Sequence, residues 1–228
     1  MPVKVEVKAA VKAEKKEAPG TCDQIVAAAA DLFYLRGYQG TSLDTVARKV
    51  EVNRGSLYYF FRTKKNLGLA VIDHYERLIH RNFIEPVLKE VTRRRGGSRL
   101  AGGSSGRGKL ERLAALYSHM PRAESPCCGC PIGKLSLELS GLDEDFRLRL
   151  KEVWEGVIEG IAGMVREAQA EGALGAKAES GEIARSFFGQ IQGAHIIARS
   201  TLDQGALELD CRRAVENLPW ADKGDKKL

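Results

Sequence analysis

The 228-residue sequence lacks any apolar run as long as a membrane span. Its first twenty residues, MPVKVEVKAAVKAEKKEAPG, also lack the apolar core of a secretory signal. No membrane association is expected, and the expected location is the cytoplasm. Strand signals are scarce, whereas Ala, Leu, Glu, Lys and Arg dominate, so the composition points to an all-α protein. The five cysteines, three of them within CCGC (127–130), lack the spacing of a disulfide framework. In a reducing compartment they act as core thiols, metal ligands or reactive groups. No His or Cys pair at zinc spacing completes a tetrahedral site around them, so neither a metal nor a cofactor is expected. The chain has no internal repeat.

Charge is present but unevenly spread. The net charge is +6. Residues 1–66 carry twelve Lys/Arg against seven Asp/Glu, residues 90–109 carry six against one, and the remainder is mildly acidic. A basic N-terminal third on an acidic body implies a polyanion partner at one end.

Helical periodicity organises the rest. Residues 1–20 present no apolar face and are expected to be a tail. Thr21 and Gln24 form a potential capping box for a first helix with Ile25, Ala28, Ala29, Leu32 and Phe33 on its apolar face, closed by Gly37. Thr41 and Asp44 repeat the pattern for a second helix (Leu43, Val46, Ala47 and Val50). A third spans about 53–60. Thr63 caps a fourth, bearing Leu67, Ala70, Val71, His74 and Leu78, which continues through Pro86 with a kink. The Gly, Ser and Arg of 93–108 read as a flexible basic loop. Further helices are expected over 109–120, 132–139, 143–172, 179–202 and 207–218. The division is thus a tail (1–20), a small helical domain (21–66), a larger helical domain (67–220) and a last tail (221–228).

The segment EVNRGSLYYFF (51–61) sets aromatic rings beside an arginine directly after a short turn. Two short capped helices joined this way match a helix-turn-helix, whose second helix enters the major groove of double-stranded DNA. The chemistry assigns the parts. Thr41 and Ser42, with the free N–H groups of the second helix, can hold a phosphate. Arg54 can fork onto guanine or pair with a phosphate. Gly55 allows close approach, Ser56 can touch a base edge or phosphate, and Tyr58 and Tyr59 offer rings to thymine methyls and hydroxyls to phosphates. Lys64 stands where another phosphate would pass. Leu57 and Phe61 face inward.

The stretch IVAAAADLFYLRGYQGTSLDTVARKVEVNRGSLYYFFRTKKNLGLAVI resembles the N-terminal DNA-binding domain of the TetR family of bacterial repressors. The resemblance implies a homodimer that binds a palindromic operator and lets go when a small-molecule effector enters the C-terminal helical domain. Phe60 stands where the family commonly has histidine, which leaves a phosphate contact to Arg62 or Lys64.

GCPIGKLSLELSGLDEDFRLRL (129–150) resembles a branch of that family with Gly-Cys, a small residue, then Leu-x-x-Glu-Leu. The branch includes repressors that sense quinones, aldehydes and N-ethylmaleimide, and Cys130 stands at their sensing position. Independently, Cys130 precedes Pro131, a favoured first helical residue, so the helix dipole is expected to lower its thiol pKa. Cys127 and Cys128 could resolve an oxidised Cys130. The alternatives are a buried structural thiol, with a reversible apolar effector instead, or a soft-metal site in CCGC. His119 and His195 could line the effector pocket, and Gly189, Gly193, Ala194 and Ala198 suit a close dimer contact. GSSGRGKL (103–110) falls one residue short of a phosphate-binding loop, since Leu110 replaces the metal-holding hydroxyl and no strand precedes it. No catalysis is expected.

Overall fold

Residues 20–89, 105–120, 129–176 and 178–221 are described by the computed structural model. They form α1 (Thr21–Arg36), α2 (Leu43–Lys49), α3 (Arg54–Phe60), α4 (Lys64–Ile79), a π-helical turn (His80–Ile84), α5 (Glu85–Leu88), α6 (Gly106–Ser118), α7 (Pro131–Leu139), α8 (Glu144–Ala170), α9 (Ser180–Thr201) and α10 (Gln204–Glu216). The β-type pairing among these residues is one isolated bridge, Leu174 to Trp220.

Side chains cap most helix starts: Ser42, Asn53, Thr63, Asp143 and Asp203 each accept an N–H from the following turn. The two expected capping boxes are displaced. α1 starts from Gly20, whose carbonyl accepts the Gln24 N–H at 3.1 Å, so Thr21 already lies inside the helix. α2 starts from Ser42, whose Oγ accepts the Thr45 N–H at 3.1 Å, because the Thr41 hydroxyl is committed elsewhere. Gly37 ends α1 at φ 82 and ψ 160, a positive-φ conformation but not the left-handed helical one expected. The spacing also predicts that α4 runs through Pro86 with a kink. It does continue, through the π-helical turn just before Pro86. Proline lacks an N–H for the carbonyl four residues back and crowds it, and the wider turn relieves both.

The apolar face of α1 packs with Val46 and Ala47 of α2 and Leu57 of α3, all buried. This small domain is fixed to the larger one by chemistry at its base. Tyr38 meets Phe33 at 5.2 Å and Phe146 of α8 at 5.4 Å, both edge to face. Gly68 of α4 makes room, since a Cβ there would lie 2.9 Å from the Phe146 ring. Lys65 reaches Asp143 at 2.8 Å across the junction, and within the larger domain Arg149 of α8 pairs with Asp73 of α4 at 2.7 Å and with Glu76. In the larger domain α8 is the spine. α6 and α9 pack against α8, α10 packs on α6 and α9, and Leu113, Val157, Ile161, Phe187 and Ile191 lie at the centre.

The basic loop ends earlier than 108, because Ser105 caps α6 and residues 106–108 are helical; residues 90–104 lie outside the described residues. The near match to a phosphate-binding loop is the start of this helix. Its Gly106 N–H donates to the Glu171 carboxylate at 3.0 Å and Lys109 pairs with Glu167 at 2.5 Å, so the groups a phosphate would need are occupied.

Candidate nucleic-acid interface and buried cysteine

α3 turns one side inward and leaves the other in water. Leu57 and Phe61 are buried, while Tyr59 is 83% exposed, Tyr58 38% and Phe60 39%. Rings left in solvent beside cations mark a contact surface rather than core. The Arg54 side chain is 68% exposed, 3.2 Å from Asp44 of α2, with its guanidinium 5.6 Å from the Tyr58 ring centroid. A hydrogen bond to Tyr58 and the charge of Asp44 push the guanidinium pKa still higher. Such a solvent-exposed pair is weak, so Arg54 can be drawn from Asp44 to a stronger anion. Gly55 is exposed, and a Cβ there would come near Asn53 Oδ1 at 3.3 Å. Ser56 donates its N–H to the same Asn53 oxygen at 2.7 Å, and its side chain sits half-buried at the edge of this face.

Beside α3 lies a shallow groove of about 420 Å³ that brings Ser42, Arg54, Tyr58 and Lys64 together. Ser42 is exposed at the start of α2. Lys64 holds its ammonium 4.3 Å from the Tyr38 ring centroid and 3.4 Å from the Gln39 carbonyl, and partial burial lowers its pKa. Thr41 corrects the sequence expectation. It is 1% exposed, and its hydroxyl donates to the Gly37 carbonyl at 2.9 Å. That hydroxyl closes the end of α1 instead of facing a phosphate, because the turn after Gly37 folds Thr41 under the domain.

Cys130 caps α7, with Pro131 in its first turn, as expected. Its pKa is not lowered. Cys130 is buried, and desolvation pushes the thiol up by more than the Gly133 and Ile132 N–H groups and the Gln192 side chain pull it down. The partial charge of a helix end does not offset taking a thiolate out of water. Cys127 and Cys128 lie outside the described residues. Cys211 is also buried and pushed up to about 12 by burial beside Asp210 and Glu208. Cys22 is half-buried, and the free thiols among the described residues are Cys22, Cys130 and Cys211. No cluster of three or more His, Cys, Asp or Glu able to hold a metal occurs among the described residues. His195 is buried near the Cys130 end of α7, whereas His119 is exposed at the end of α6, 3.5 Å from Glu208.

α7 grips the helix-turn-helix along its length, from the residue before Cys130 to Glu138. Tyr34 Oη donates to the Gly129 carbonyl at 3.2 Å, and Lys134 Nζ donates to the Tyr34 carbonyl. Glu138 accepts the Tyr38 and Gln39 N–H groups at 2.8 and 2.7 Å. Gly37 permits this, since a Cβ there would lie 3.2 Å from both Glu138 oxygens. Glu138 was visible in the sequence as the acid of Leu-x-x-Glu-Leu, but nothing there marked Tyr38 or Gln39 as its partners.

Residues 25–71 match the family described as bacterial regulatory proteins, tetR family, and residues 106–214 match the tetracyclin repressor-like C-terminal domain. A Lactococcus lactis protein described as an uncharacterized HTH-type transcriptional regulator in the lacX 3' region is 31% identical over 188 residues, which span 82% of this chain and 88% of that one. The chain belongs to the TetR family. It is therefore a DNA-binding transcriptional regulator, and the family is one of regulators rather than enzymes. The transcriptional regulator AcuR of Cereibacter sphaeroides is 30% identical over 73% of this chain and 71% of its own length. The transcriptional repressor NemR of Escherichia coli is 27% identical over 60% of this chain and 63% of its own. A crystal structure of NemR, described as its reduced form, superposes with a TM-score of 0.74 at 22% identity, covering 88% of this chain and 96% of that one, which shows the shared fold.

Proposed function

We propose that the protein is a homodimeric repressor that reads a palindromic operator and is released by an effector acting at Cys130. α3 enters the major groove. Arg54 takes a guanine edge or a phosphate, Gly55 lets the helix come close, and Ser56, Tyr58 and Tyr59 touch base edges and backbone. Ser42 and Lys64 hold phosphates along the groove beside α3, and Thr41 supports them from behind. NemR, described as a repressor, supports repression as the direction of control.

The observation that carries the effector reading is the placement of α7, with Cys130 at one end and the Glu138 grip on the helix-turn-helix at the other. A nine-residue helix spans roughly 13 Å. A reactive electrophile adds volume at Cys130 that a close-packed interior cannot absorb. α7 then shifts, and the α1–α2 turn that carries Gln39 and borders Ser42 and Lys64 shifts with it. Oxidation, with Cys127 or Cys128 as the resolving thiol, would act through the same lever. Release is a population shift, limited by how much better the effector suits the non-binding dimer. The burial of Cys130 favours a second reading, in which the thiol is structural and a reversible apolar ligand occupies the helical core.

A gel-shift titration on the DNA around the protein's own gene separates the two, run reduced and then after N-ethylmaleimide or diamide, for wild type and Cys130→Ser. Release of wild type alone is the expected result. Release of neither protein moves the effector to a reversible ligand, and equal release of both moves the reactive thiol elsewhere. Failure to bind a randomised DNA pool would sink the operator-reading assignment itself.

A further inference from the structure

An acid stands in the middle of a surface suited to a polyanion. The groove beside α3 is lined by Ser42, Arg54, Tyr58 and Lys64, and Asp44 of α2 lies among them with its side chain 51% exposed. Asp44 is the one acid among the residues that line this groove. A carboxylate there repels phosphates and, taken alone, weakens binding to every sequence alike. The sequence offers Asp44 a local role at the start of α2, but the structure gives the cap to Ser42, whose Oγ accepts the Thr45 N–H at 3.1 Å. The Asp44 carboxylate is turned instead to Arg54 of α3, with Oδ1 3.2 Å from the guanidinium Nε. The same guanidinium lies 5.6 Å from the ring centroid of Tyr58, one turn along α3.

Arg54 has a phosphate and a guanine edge open to it, and Asp44 makes the two unequal. A guanidinium is a rigid planar fork. A carboxylate at Nε leaves the edge between the two terminal nitrogens, and that edge matches the O6 and N7 acceptors of guanine. The guanine edge is neutral, so Arg54 can keep Asp44 while it reads the base. A phosphate is different. It would meet a cation already neutralised by Asp44, or it would draw Arg54 away and leave the carboxylate facing a second anion in the same groove. The pair is solvent-exposed and weak, so its influence falls on the balance between these bound states rather than on folding. We infer that Asp44 is a positioning residue for sequence specificity, holding Arg54 for a guanine edge and against the phosphate backbone. The inference rests on the operator-reading role of α3 proposed above. It gives α2 a share in sequence choice through a residue that acts by way of Arg54.

The test selects duplexes from a randomised pool with wild type, Asp44→Asn, Arg54→Ala and the double variant. Binding of each protein is then measured over a range of salt to three duplexes. These are the wild-type selected sequence, the same sequence with the guanine that Arg54→Ala ceases to select replaced by adenine, and a scrambled sequence. Asp44→Asn is expected to raise affinity for the scrambled duplex about tenfold and to steepen the salt slope by about one phosphate contact, as Arg54 is freed for the backbone. The preference for guanine is expected to fall about fivefold or more. In the Arg54→Ala background the same change should leave base preference unaltered, because the guanidinium that Asp44 positions is gone. A gain by one factor on all three duplexes, with the guanine preference intact, would show general repulsion only. Unchanged binding would place Asp44 outside the interface. If Arg54→Ala costs no guanine preference, Arg54 is not a guanine reader. Each of these three results overturns the inference while operator reading by α3 stands. Failure of wild type to enrich any sequence ends that reading, and the inference with it.

Discussion

Thr41 and Ser42 are adjacent hydroxyl residues, and the fold sends them to opposite sides of the same turn. Thr41 is buried and ties the end of α1 through Gly37, while Ser42 is exposed, caps α2 and borders the groove beside α3. Thr41→Val is expected to cost about 1 kcal/mol in unfolding free energy, by leaving the part-buried Gly37 carbonyl without its donor, with DNA affinity of the folded protein little changed. Ser42→Ala is expected to cost about 1 kcal/mol through the lost cap and to weaken DNA binding with the salt slope unchanged, because a neutral hydroxyl releases no counterion. Denaturant titration and binding at several salt concentrations check both. For Cys130 the raised thiol pKa sets the sign of the pH dependence. Its alkylation by N-ethylmaleimide is expected to rise about tenfold per pH unit from neutrality, with no plateau across the ordinary thiol range. The same shift favours the folded, protonated form, so its contribution to stability is complete below the ordinary thiol pKa and is lost as pH rises towards the folded value. The sequence placed Cys130 at a helix start correctly and misjudged its ionisation. Local order is legible in residue spacing, but the desolvation that dominates comes from α6, α9 and other parts distant in sequence.

Helix boundaries were legible to within a few residues, because Asn53, Thr63, Asp143 and Gly37 carry the local chemistry of helix ends. The relation between helices was not. α7 reads as an ordinary apolar helix with one acid near its end, and only its docking shows that the acid holds two backbone N–H groups of another domain. Glu138→Ala is expected to speed amide exchange at Tyr38 and Gln39 selectively and to destabilise the helix-turn-helix by about 1.5–3 kcal/mol, the range for hydrogen bonds to a charged group. Glu138→Gln should fall between, since its amide keeps one acceptor oxygen. If α7 is the lever, Cys130→Met should change DNA affinity in the wild-type background and much less in Glu138→Ala. Simple additivity of the two substitutions would remove α7 from the path.

Among the described residues, nothing covers one face of α9. Ile196 is 59% exposed and Ile197 57%, and added Cβ atoms at Gly189 and Gly193 would meet nothing within 4 Å. Ala194 and Ala198, expected from the sequence on a dimer contact, face the domain's own core instead. The open face suits a second copy of the chain. Ile197→Glu is expected to give a monomer in analytical ultracentrifugation and to weaken operator binding more than about tenfold, because two half-sites would no longer be engaged together. A protein that stays dimeric with that change would place the subunit contact elsewhere.

The sequence by itself determined the helical class, the helix ends, the inward residues of α3 and the family, because periodicity, capping and the recognition segment are written in neighbouring residues. The tertiary structure alone decided that Thr41 is buried, that the Cys130 thiol is desolvated, and that Glu138 joins α7 to the α1–α2 turn. The physical reason is common to the three. Burial and long-range hydrogen bonding depend on which surfaces meet, and residues a hundred positions apart carry no local mark of their contact.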